Sequence, residues 1–95
     1  MGKQVTISGK RWQLVERSQL ANRGDVDSPD TPGKQIRISR DLEGEERLEV
    51  IVHEITHCAF WQIDELAVEE FGRDLARILY RKLGYRRPED LEREG

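Results

Sequence analysis

A single cysteine excludes an internal disulfide framework. Long apolar runs are missing too. None approaches the roughly 20 residues needed to cross a bilayer, and Met1 to Lys10 carries no signal-peptide core. There is no basic excess. Sixteen Lys and Arg against nineteen Asp and Glu leave a net charge of -3, without the electrostatic footprint of a nucleic-acid binder. At 95 residues, with 36% hydrophobic and 37% charged, the chain has room for one small core. The expectation is a soluble, cytoplasmic, single domain over residues 1–85, with 86–95 as a frayed tail. Its stability must come from compact packing or a bound metal.

The amino-terminal third reads as strand and turn. Val5-Thr6-Ile7 is β-rich, Ser8-Gly9-Lys10 suits a turn, and Trp12 and Leu14 continue with a period of two. Asn22 to Lys34 is rich in Gly, Asp, Ser and Pro and reads as one long loop. Gln35 to Ser39 alternates again and predicts a third strand, placed at a sheet edge. From Leu42 the period lengthens. Leu48, Ile51, Val52, Ile55 and Ala59 mark an amphipathic helix. Asp64 suits the cap of a second helix, whose stripe is Val68, Phe71, Leu75, Ile78 and Leu79. Gly84 and Pro88 suit its end. The fold class expected is α+β: a short antiparallel sheet packed on an αα-hairpin.

His53-Glu54-Ile55-Thr56-His57 carries the chemistry. Side chains four apart on a helix project from one face, so both imidazoles reach one metal. Glu54, one step along, faces partly toward the same cleft and can take a proton from water without ligating. Two histidine nitrogens and a carboxylate oxygen suit zinc. These are the only histidines in the chain. The apolar stripe centres on one side of the helix, with His53 and His57 nearly opposite. Cys58 turns toward the apolar side and is expected as a small buried residue.

A catalytic zinc site needs a third protein ligand. Among the acidic residues of the second helix, Glu70 and Asp74 fall on its far side. Glu65 lies at the stripe's edge and Glu69 somewhat further out. Helical phase favours Glu65, whereas simple antiparallel levelling of a short hairpin puts Glu69 nearer His57.

This pattern resembles the zincin metallopeptidases, most closely the gluzincins, in which a glutamate on the next helix is the third ligand. Nearly the whole chain is also similar to small metallopeptidases encoded by phages and bacterial genomes. The matching residues are Gly24-Asp25-x-Asp27-x-Pro29, Lys34-x-Ile36-x-Ile38, Leu48-x-x-x-Val52-His53-Glu54-x-x-His57, Asp64-Glu65-x-x-Val68 and Leu83-Gly84-Tyr85-Arg86. The resemblance favours Glu65, with Glu69 as the alternative third ligand. It implies a minimal zinc hydrolase acting on peptide or protein substrates, with Glu54 as general base. Larger zincins have a second subdomain for which this chain has no length.

Tyr80, Tyr85 and Arg37 are the candidates for a helper at the developing oxyanion. An extended peptide is expected along Gln35 to Ser39 if that strand is an edge. The alternative is a non-catalytic, zinc-stabilised adaptor, which has no need of Glu54. A third reading, nucleic-acid binding through Arg73, Arg77, Arg81, Lys82, Arg86 and Arg87, is weakened by Glu70 and Asp74 among them.

Overall fold

The structure is a computed structural model that describes residues 2–89 and 91. Strands β1 (Lys3–Ile7) and β2 (Lys10–Arg17) form a hairpin in which Ile7 pairs with Lys10. Ser8 and Gly9, at φ 50° and 77°, make the two-residue turn. Positive φ at both positions matches the right-handed twist of the flanking strands. β3 (Gly24–Val26) and β4 (Gln35–Ser39) complete one sheet of order β1-β2-β4-β3.

Three expectations change here. The Asn22 to Lys34 segment is not one loop, because it contains β3. The sheet is mixed, because β4 runs parallel to β2, with Leu14 opposite Ile36, and antiparallel to β3. β4 is therefore interior, and β3 forms the edge. The three-residue β3 is held from the outer face of the sheet. Arg37 pairs with Asp25 and Asp27, and the Gln35 N–H donates to Asp27 Oδ2 at 2.9 Å. The guanidinium holds the Asp27 carboxyl below the usual aspartate range despite partial burial.

The inner face of the sheet carries Trp12, Ile36 and Ile38, all nearly inaccessible to solvent. Leu42, Val50 and Cys58 close the core from the helical side. Burial raises the Cys58 thiol to about 12, leaving it an inert apolar filler as expected. α1 (Gly44–Ala59) lies on the sheet, and α2 (Glu65–Arg77) packs on α1 in an α+β architecture. Asp64 caps α2, its Oδ2 accepting from the Ala67 N–H at 3.1 Å. α2 runs on into a π-helical turn, Ile78–Lys82.

Because α1 is the middle layer, it is buried on two sides. Val50, Glu54 and Cys58 are buried one turn apart toward the sheet, and Thr56 is buried on the side of α2. The expected single apolar face, with the histidines opposite, is thus replaced by two. The face of α2 also shifts. Val68, Gly72 and Ala76 line the contact with α1, while Phe71 and Ile78 are exposed. Gly72 brings the helix backbones close, since a Cβ there would lie 3.4 Å from Glu49 O.

Of the expected tail, residues 90 and 92–95 lie outside the described residues. Nearer its start, Arg86 stacks 3.5 Å from the centroid of the Tyr80 ring, and the Leu91 N–H donates to Arg87 O. Among the described residues, no helix is long and apolar enough to cross a membrane.

Candidate metal centre

His53 and His57 sit one turn apart near the carboxyl end of α1, and Glu65 opens α2. The short turn between the helices folds Glu65 back over the histidines. His53 Nε2 lies 3.0 Å from Glu65 Oε1, and His57 Nε2 lies 2.9 Å from Oε2. The two Nε2 atoms are 3.2 Å apart. Lone pairs of two ring nitrogens and a carboxylate cannot converge this way without a proton or a cation between them. Zinc bonds of 2.0–2.1 Å in tetrahedral geometry require about 3.3 Å between ligand atoms, so small adjustments suffice to admit the ion.

Among the described residues, His53, His57 and Glu65 are the one group of three whose ligand atoms lie close enough together that they could hold a metal ion. Glu69 is exposed and stands outside it. Hairpin levelling misjudges the distance because the turn is tight, with the Ile63 N–H bonded to Phe60 O just before the cap.

Glu54 is 8% exposed and faces the sheet side of the same helix. With His53 it lines an open cleft of about 380 Å³ whose other walls include Asn22, Arg23, Gly24 and Glu49. Burial raises its carboxyl pKa. His53 opposes that rise, and the Asp25 and Glu65 carboxylates add to it. Gly24 makes the burial possible, because a Cβ there would lie 2.9 Å from Val50 Cγ1 and 3.2 Å from Glu54 Cγ.

No known protein family, curated protein or solved structure matches the chain. The site therefore rests on its own geometry.

The proposed oxyanion helpers are elsewhere. Arg37 is committed to Asp25 and Asp27 on the outer face of the sheet. Tyr80 and Tyr85 line a separate pocket beside Gly44 and Leu48. Sequence reasoning missed the cleft wall of Asn22, Arg23 and Glu49, which carries no spacing signal. Only the Gly24-Asp25 pair hinted at it. Three of the basic residues of α2 and the segment after it are engaged in ion pairs. Arg77 pairs with Asp74, Arg81 with Glu45 and Arg87 with Glu89.

Proposed function

We propose that this chain is a minimal zinc-dependent hydrolase of the zincin type, cleaving peptide bonds in a cytoplasmic substrate. The observation that carries the reading is the convergence of His53 Nε2, His57 Nε2 and the Glu65 carboxylate within 3.2 Å, with a buried Glu54 that shares a cleft with His53. His53, His57 and Glu65 would hold the zinc ion, which would supply the Lewis acidity that activates water near neutral pH. Glu54 takes the proton of the attacking water and passes it to the leaving amine. A carboxyl with a raised pKa suits both halves of that transfer. The peptide track moves from the interior β4 to the edge strand β3, whose Gly24 borders the cleft. An extended substrate paired along β3 brings its backbone past His53 and Glu54.

The exposed Phe60, Trp61, Ile63 and Leu66 around the hairpin tip favour a second reading. In it the metal clasps the hairpin and the apolar tip captures a partner. Two measurements separate the readings. Metal analysis of the purified chain should give one zinc, lost on changing either histidine to Ala. Against a broad peptide library, wild type should cleave, and Glu54→Gln should keep zinc while losing about 10²–10⁴-fold in rate. Equal cleavage by both proteins defeats the mechanism. Zinc binding and partner capture without cleavage by wild type favour the adaptor.

A further inference from the structure

The row of His53 and His57 continues one turn back along α1 to Glu49, four residues before His53. Glu49 lines the same cleft as His53 and Glu54. It is half-buried, and among the described residues it makes no hydrogen bond or ion pair. A carboxylate drawn part-way out of water costs free energy unless a charged or hydrogen-bonding group meets it. The neighbouring cation does not. Arg23 also lines the cleft, but its Nη1 lies 2.9 Å from Glu46 Oε2, and Glu46 stands outside the lining.

The charges of the cleft cancel except at this residue. A bound zinc ion would bring two positive charges, which the carboxylates of Glu65 and Glu54 offset. Arg23 is offset by Glu46. Glu49 remains as a surplus negative charge, one helical turn or about 5.4 Å along the axis from the first histidine. An apolar or short polar side chain on a substrate cannot answer it. A lysine or arginine can, because a long apolar stem carries its charged head well away from its own backbone. We propose that Glu49 sets the specificity of the site, receiving the ammonium or guanidinium of a lysine or arginine side chain beside the scissile bond. The proposal rests on the hydrolase reading for the place of that bond, and on the cleft alone for the charge it accepts. A substrate's terminal amine is the other source of such a cation. An internal side chain is favoured, because an extended chain paired on the edge strand β3 runs past Gly24 in both directions.

Binding to a full-length chain that cannot turn over isolates the subsite. The probes are acetylated, amidated octapeptides that alternate alanine with lysine or alanine with glutamine. Each is titrated calorimetrically into Glu54→Gln protein in the presence of zinc. The lysine peptide should bind about tenfold tighter than the glutamine peptide. Adding Glu49→Gln should remove the difference. Adding Glu70→Gln, the same loss of charge at an exposed position of α2, should not. Equal affinities, no measurable binding of either peptide, a preference that survives Glu49→Gln, or one that falls equally with Glu70→Gln overturns the subsite. So does a glutamine peptide that gains the tenfold once its amino terminus is left free, since the cation is then a terminal amine. The hydrolase reading is judged separately, on a broad peptide library. Cuts beside lysine and arginine support both readings. Cuts spread evenly over all side chains sustain the hydrolase and overturn the subsite. A lysine preference in binding without any cleavage sinks the hydrolase and keeps the subsite.

Discussion

Adding one methyl at Gly24 and one at Gly72 should move stability in opposite directions. Gly24 needs its missing side chain for space, because its φ is not among the left-handed ones. A Cβ there would meet Val50 Cγ1 at 2.9 Å, Arg37 O at 3.1 Å and Glu54 Cγ at 3.2 Å. The Arg37 carbonyl belongs to the paired strand and cannot retreat. The strain therefore goes into α1, through Val50 and Glu54. Overpacking of this kind costs about 1–3 kcal/mol. In a domain this small each kcal/mol is worth about 4–8 °C in Tm, so Gly24→Ala should melt at least several degrees lower. At Gly72 the nearest atoms to a new Cβ are Glu49 O at 3.4 Å and the His53 N and Cα at 3.5 and 3.6 Å. Those are ordinary contacts, and replacing a helix-interior glycine by alanine gains up to about 1 kcal/mol. Gly72→Ala should melt a few degrees higher. Calorimetry of both variants, with zinc content measured in parallel, checks the pair. Gly24→Ala should keep its zinc, since no candidate ligand touches Gly24, and should lose hydrolysis as Glu54 is displaced. A Gly72→Ala protein less stable than Gly24→Ala refutes this account of the two gaps.

Glu65→Gln should lower zinc affinity and Glu69→Gln should leave it unchanged, as read by competition with a chromogenic chelator. In metal-free protein, Glu54→Gln should raise the melting temperature at neutral pH. A carboxyl whose folded pKa is raised loses stability as pH climbs from its unfolded value to its folded one, and Gln removes that loss. Asp27 behaves oppositely. Its folded pKa is lowered by Arg37, so its contribution is complete above the unfolded value near 3.9 and disappears as pH falls through the folded one. Urea titrations between pH 2 and 6 should show a shallower acid loss of stability in Arg37→Leu than in wild type.

Composition exposes β1, and apolar recurrence at period 2 or at three- and four-residue steps exposes β2, β4 and the existence of both helices. β3 escapes because three residues among Gly, Asp, Ser and Pro have no room for a period. The parallel pairing of β2 with β4 escapes for another reason: alternation tells which side of a strand is buried and nothing about its neighbour. The stripe of α1 misleads because the helix is covered twice, so polar Glu54 and Thr56 are buried while Leu48 and Val52 are only half so. At the site, the His53–His57 spacing is legible because one helix sets it. Placing Glu65 needs the turn geometry, and the wall of Asn22, Arg23 and Glu49 needs the fold.

The candidate ligands all fall in one unbroken stretch, from His53 to Glu65, whereas the surroundings of Glu54 are supplied by a strand distant in the chain. The two tasks of the proposed hydrolase, holding an ion and moving a proton, would therefore depend on different segments. A substitution in β3 would disturb the setting of Glu54 and leave the trio of His53, His57 and Glu65 in place, and one around the tip would touch neither.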